Sequence, residues 1–440
     1  MIVREIDWVS PLDAFTPLAG EPYAMLLHAG ERAVLPGWSV IAACPTETIE
    51  TGGFPALRSR AAARKSDEFP WPYDGAPPPV TAGLVGFAGY ELGASVEPSA
   101  TGPASPFAFP EMAFGVYDAV AAFDRTRARA YICGHTKEAV GRLHSVLGSA
   151  PAAASVLPVF SGVASNFSKA GYEAAVAEAI RLIREGAIFQ ANLAQHLSVK
   201  SDEPLSAYAL FRKIAGGGAP YAAFLQFKEG AIISNSPERF FRIEKGRIVA
   251  EPVKGTRARS KDEAEDRAAA AALLADPKER AENIMIADLA RNDLSRISKD
   301  GSIREEAICA LESHEGLHHL VSRISGALKD GVGAVDAFES LFPCGSVTGA
   351  PKVEAMKTIA ALEGVGRGPY CGAIGYIDDR GAADFSVAIR IMIVEAGREG
   401  ARLTFPVGGG VTLRSDPRGE YNETLLKAQT ILKALGVEAP

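Results

Sequence analysis

Tyr221-Ala-Ala-Phe-Leu-Gln-Phe-Lys-Glu-Gly-Ala-Ile-Ile-Ser-Asn-Ser-Pro-Glu-Arg-Phe-Phe-Arg-Ile243 carries three apolar runs in succession, Tyr221 to Phe227, Ala231 to Ser234 and Phe240 to Ile243, parted only by Gly and Pro punctuation. Runs that follow one another with no helix between them read as antiparallel strands. Downstream, Ile374 to Ile377, Phe385 to Val394 and Arg402 to Phe405 read the same way, as do Tyr23 to Leu27, Ala82 to Ala88, Met112 to Val116 and Ala119 to Phe123 upstream. Helical periodicity covers Lys169 to Glu185, with Ala175, Ala179, Leu182 and Ile183 on one face, then Asp262 to Leu274, Lys278 to Ile297 and a last helix from about Glu420. A doubly wound fold would alternate strand and helix strictly. The irregular order predicts an α+β fold instead, an antiparallel β-sheet sandwich with surrounding helices.

A stretch rich in Pro, Gly and Ala at 149–165 reads as a linker, so 1–150 is expected to form one unit and 165–440 another. Pro70, Pro72, Pro77, Pro78 and Pro79 exclude regular structure from 66–80. With 440 residues, 47% hydrophobic and 22% charged, the chain can bury a substantial core. A net charge of -7 without a dense basic run argues against a nucleic-acid partner. No apolar stretch is long enough to span a membrane, and Arg4, Glu5 and Asp7 interrupt any amino-terminal apolar segment, so a cytoplasmic location is expected. Cys44, Cys133, Cys309, Cys344 and Cys371 include no CxxC pair and read as free thiols.

Two acidic pairs stand out. Glu279 and Glu282 share one face of a predicted helix, and Glu420 and Glu423 repeat the spacing at the start of the last one. Facing each other, they would suit a hard cation such as Mg²⁺; spacing alone favours the blander reading, a solvated face paired with Lys278 or Arg280. Gly408, Gly409 and Gly410 follow a strand and offer amides to an anion, or form a flexible hairpin. Arg390 lies in an apolar run, where a buried charge needs either a protein carboxylate or a ligand anion. Lys254, between Pro252 and Gly255, could act as an amine nucleophile, and Glu238 as a general acid or as a structural partner of Arg239. His314, His318 and His319 have no accompanying ligand motif for zinc.

Seven runs in order complete the pattern: Ile183 to Asn192, Ser234 to Phe240, Pro252 to Thr256, Ala281 to Asp293, Gly345 to Lys352, Gly372 to Tyr376 and Glu420 to Thr424. Together they resemble the chorismate-utilising enzymes, the family of anthranilate, aminodeoxychorismate, isochorismate and salicylate synthases. The resemblance implies that Glu282 and Glu423 hold Mg²⁺, with Glu279 and Glu420 acting through water, and that Mg²⁺ meets the ring carboxylate of chorismate. It places Tyr376, Arg390 and the amides of Gly408, Gly409 and Gly410 on the enolpyruvyl carboxylate, and His319 and Ser346 beside the ring. Gln190 stands where isochorismate-forming members carry a water-activating lysine. Lys254 stands where anthranilate-forming members typically carry Ala. Ala24 to Gly30 and Gly86 to Tyr90 look like the aminodeoxychorismate branch. That branch implies attack of Lys254 at C2 while Glu238 protonates the 4-hydroxyl, then amination at C4. No Gly-x-Cys-x-Gly motif is present, so ammonia is expected from a glutamine amidotransferase subunit. Relatives also imply a tryptophan-like ligand in the amino-terminal region.

Overall fold

The computed structural model describes residues 1–29, 37–67, 71–148, 157–215, 218–313, 316–397 and 400–440. Among these, two antiparallel sheets form, one of 12 strands and one of 10. The larger runs Ile2–Ile6, Arg129–Gly134, Ala119–Asp124, Trp38–Ala42, Met25–His28, Tyr221–Gln226, Gly230–Ser236, Ile391–Gly397, Gly400–Val411, Gln190–Ser201 and Gly349–Ala350, with Ala164–Ser165 also on the Gln190 strand. The smaller runs Val253–Ala258, Leu317–Ala327, Arg247–Ala250, Arg239–Glu244, Ala383–Val387, Ala373–Asp378, Gly83–Ala88, Met112–Tyr117 and Glu47–Ile49, with Arg304–Ser313 also on the Leu317 strand.

The sheets face each other across one apolar core. Leu225, Ile232 and Ile393 of the larger sheet join Phe87, Phe114, Phe241 and Phe385 of the smaller. Phe338 of the helix Ala334–Leu341 stacks on Phe385 at 4.2 Å between ring centroids. The opposite face of the larger sheet is covered in turn. Ala222, Phe224, Ala231 and Ile233 pack with residues of the helices Pro11–Phe15, Ala207–Ala215 and Pro417–Leu435. Strands buried on both faces explain why Tyr221 to Ser236 reads as nearly continuous apolar sequence rather than as an alternation. This is the α+β sandwich that the sequence predicts.

Four details differ from the sequence reading. Strands pair across the expected boundary, Leu27 opposite Ala223 and Gly86 opposite Gly375, so 1–150 and 165–440 build the same two sheets. The proposed linker lies outside the described residues over 149–156. The expected strand Phe385 to Val394 is two strands, Ala383–Val387 and Ile391–Gly397, broken at Arg390 with φ +52°. The helix Lys169–Arg184 buries Tyr172, Val176, Ala179 and Ile180, a face rotated from the predicted one because Tyr172 and Val176 fit against Leu193 and Val411. Gly408 to Gly410 form neither turn nor hairpin. They lie inside the strand Gly400–Val411, opposite Ala194, Leu193 and Asn192.

Candidate active site

Asp276 caps the helix Pro277–Ile297 by accepting from the amides of Lys278 and Glu279, and Asp416 caps Pro417–Leu435 by accepting from that of Gly419. These caps fix Glu279 and Glu420 in first turns, where the helix field favours carboxylates. Two glycine-bearing strands reach them. A Cβ on Gly255 would lie 3.2 Å from Glu279 Oε2, and one on Gly409 would lie 3.0 Å from Glu420 Oε2 and 3.7 Å from Glu423 Oε1.

The acidic groups sense one another. Burial, then the Glu282 carboxylate and more weakly Glu423, push the Glu279 carboxyl above its usual range. Burial chiefly pushes Glu420 up, reinforced by Glu423. Burial also acts on Glu423, but Lys427, at 2.8 Å, and Lys278 hold it low. Lys278 lies 3.8 Å from Glu282. Among the described residues no three His, Cys, Asp or Glu side chains are drawn close enough to ligate one ion. The donor set nevertheless fits a hard cation: it is all carboxylate, and Glu420 Oε2 is buried without a hydrogen bond.

Across the strand, Lys254, Glu238, Gln190 and Ser346 come together. The Lys254 amine donates to the Ser346 carbonyl at 3.2 Å. Gln190 is fully buried with neither Nε2 nor Oε1 hydrogen-bonded. A Cβ on Gly410 would lie 2.6 Å from Gln190 Nε2 and 3.5 Å from Lys254 Nζ, so the bare glycine leaves a space walled by both. Glu238 is 4% exposed and accepts from the Val253 amide at 3.4 Å. Burial pushes its carboxyl up against the opposing pull of Ser346, Lys254 and that amide. A buried carboxyl whose pKa is raised, beside an amine, is the equipment for general acid catalysis with a nucleophile.

The Arg390 guanidinium has no hydrogen bond or ion pair among the described residues, and burial depresses its pKa; the Arg390 carbonyl accepts from the Asn235 amide at 3.2 Å. It precedes the strand Ile391–Gly397, whose pairing with Gly400–Val411 ends at Thr404. The glycine segment is therefore uncovered on that edge, leaving alternate amides free for an anion. His319 Nδ1 lies 3.0 Å from Thr256 Oγ1, on the strand beside Lys254. His314 falls outside the described residues, and His318 is held by Asp266 and Ser313.

Tyr376 is not in this group. It lines a separate cavity of about 210 Å³ with His28, Trp38, Pro220, Tyr221 and Arg239. Tyr370 takes the expected position instead: a Cβ on Gly408 would lie 3.0 Å from its hydroxyl. Strand alternation turns Tyr376 away from the glycines, whereas Tyr370 sits before the strand, after Gly368-Pro369, which is the signal that could have found it. The sequence reading also missed a brace. Arg367, 1% exposed, donates to the carbonyls of Asn192 and Val347 and pairs with Glu363, which accepts from the Ala194 amide. This ion pair fixes the strand opposite Gly408 to Gly410.

The family model described as chorismate binding enzyme matches residues 23–433. An aminodeoxychorismate synthase component 1 from Klebsiella aerogenes is 33% identical, over 96% of this chain and 95% of its own length. An anthranilate synthase component 1 from Streptomyces coelicolor is 35% identical, over 98% and 87%. The crystal structure of anthranilate synthase component I from Streptococcus pneumoniae superposes with a TM-score of 0.76 at 26% identity, covering 96% of this chain and 97% of that one.

Proposed function

The chain belongs to the chorismate binding enzyme family, and on that premise we propose that it aminates chorismate at C4 to aminodeoxychorismate, with ammonia supplied by a glutamine amidotransferase partner. One observation carries this reading: an amine, Lys254, faces the same small space as Gln190 and stands beside the buried acid Glu238. Lys254 adds at C2 as the double bond shifts and the 4-hydroxyl departs, taking its proton from Glu238 and leaving as water. Ammonia then forms a bond to C4, the double bond returns, and the C2–N bond breaks to release Lys254 as the free amine. The Glu238 carboxylate recovers a proton from the new ammonium. The Gln190 side chain is a neutral amide, too weakly basic to take a proton from water, which disfavours water addition.

Arg390, the uncovered glycine edge and Tyr370 are placed to receive the enolpyruvyl carboxylate; His319 and Ser346 flank the ring. Glu279, Glu282, Glu420 and Glu423 would hold Mg²⁺, which when bound supplies charge neutralisation for the ring carboxylate. Much of the acceleration then comes from orientation and fixed charge. The 210 Å³ cavity around Trp38, Tyr221 and Tyr376 is the place for a tryptophan-like ligand. A second reading, anthranilate formation, has the 35% identity to the Streptomyces coelicolor relative in its favour. Incubating the protein with chorismate, Mg²⁺ and ammonium decides between them. Aminodeoxychorismate supports the proposal, and anthranilate fluorescence as the main product refutes it.

A further inference from the structure

A second, smaller cavity of about 30 Å³ lies behind Glu238. Its polar lining is Glu238, Arg239, Ser346, Cys344 and Asp293, set among Phe240, Ile286 and Leu341. That is room for one water, and a buried water needs two to four polar partners. Asp293 supplies an acceptor that lacks a donor. It is 4% exposed; its Oδ2 accepts from Lys352 at 2.7 Å, while Oδ1 accepts no hydrogen bond and stands 4.0 Å from the nearest Arg296 nitrogen. A buried carboxylate oxygen without a donor is costly.

We propose that this cavity holds a water joining Asp293 Oδ1 to the Glu238 carboxyl, and that Asp293 is thereby a positioning residue keeping Glu238 a proton donor. The water donates to Asp293 Oδ1 and accepts the Glu238 O–H. Ionised Glu238 would instead set a second anion across the same water. Lys352, which also donates to the Leu341 carbonyl at 2.8 Å, holds the Asp293 carboxylate in place. Ser346, Lys254 and the Val253 amide also act on Glu238, and Glu238 in turn adds to the effect of burial in raising the Cys344 and Cys371 thiols. Arg239, on the cavity wall, is engaged by Asp384 and Glu251.

The inference rests on the reading of Glu238 as the acid, and the test separates the two. In Asp293→Asn the alkaline limb of the kcat profile for ammonium-dependent turnover should move down by roughly two pH units, the scale of a like charge across one water at an effective dielectric constant of about 20. KM for chorismate should stay unchanged. If Asp293→Asn fails to fold for want of a partner for Lys352, Asp293→Asn combined with Lys352→Met removes the pair together and should shift the limb the same way. An unmoved limb in the folded variant, or a dry cavity in a high-resolution crystal structure, overturns the inference. Glu238→Gln is the control. Retained turnover there overturns the role of Glu238 itself; loss of turnover with an unmoved limb in Asp293→Asn overturns only the relay.

Discussion

Lys254 rests its amine on the main-chain carbonyl of Ser346 at 3.2 Å, on the side of the site that Glu238 also faces. A single neutral acceptor holds the amine there. Lys254→Ala should therefore lose nearly all aminodeoxychorismate formation, and Lys254→Arg, which keeps the charge but cannot act as an amine, should lose it equally. Product analysis of both variants is the check. Near-normal turnover in Lys254→Arg would leave only an electrostatic role.

Gly410 gives a steric test of the same space. A methyl group 2.6 Å from Gln190 Nε2 and 3.5 Å from Lys254 Nζ must displace that amide. Because Gly410 is not at positive φ, alanine is conformationally acceptable in the strand. Gly410→Ala should keep its fold by circular dichroism and lose about 100-fold in kcat/KM, as expected for a displacement of about 1 Å among reacting groups.

The acidic pairs predict a separable phenotype. Glu282 and Glu423 each lie beside a lysine near the surface, so neutralising them removes no core contact. Glu282→Gln and Glu423→Gln should shift stability by no more than about 0.5 kcal/mol while abolishing Mg²⁺-dependent turnover. A Mg²⁺ titration followed by activity and by calorimetry measures both effects. Unchanged metal dependence in the two variants would remove these residues from the site.

The residues that are legible in the sequence are those whose chemistry is unusual for their local pattern. Glu238, Lys254 and the four carboxylates stand out as polar groups between or within strands or in helices, whereas Gln190 is picked out only by the family resemblance. Tyr370 and Tyr376 do not differ in that respect. Both are buried aromatics six residues apart; Tyr376 lies within the strand Ala373–Asp378, and Tyr370, in the turn before it, meets the glycines. The shared sheets were likewise hidden. Leu27 pairs with Ala223 far along the chain, and no local signal reports a partner at that distance. Gly408 to Gly410 misled because three glycines weaken an isolated strand. Here the missing side chains make room for Tyr370, Glu420, Gln190 and Lys254, and the Arg367–Glu363 pair stiffens the strand opposite.

Buried Glu238 opposes stability in a pH-dependent way. Its folded-state carboxyl is raised by burial, so its contribution is intact below the unfolded pKa and is lost as pH rises towards the folded one. Gln mimics the protonated acid at every pH. Glu238→Gln should match the parent near pH 4 and exceed it at pH 8, by about 1.4 kcal/mol for each unit of upward shift. Thermal unfolding across this range checks the sign. A variant less stable than the parent at pH 8 would show that Glu238 is held as the carboxylate.

Arg390 supplies the reciprocal case, a cation whose structure lacks the anion it requires. Among the described residues no carboxylate pairs with it, and burial depresses its guanidinium. Desolvating an unpaired charge disfavours the free protein, so removing it should not destabilise the fold. Arg390→Gln is expected to unfold at the same temperature as the parent or higher. Chorismate binding should respond in the opposite direction, because a charge-assisted hydrogen bond to a carboxylate contributes about 1.5–3 kcal/mol, roughly 10- to 150-fold in affinity. Arg390→Lys keeps the charge but not the planar fork, so it should recover only part of that loss. Calorimetry with chorismate, beside thermal unfolding of the unliganded variants, measures both sides. If Arg390→Gln bound chorismate as tightly as the parent, the uncovered edge of Gly408 to Gly410 would have to hold the carboxylate through its amides alone.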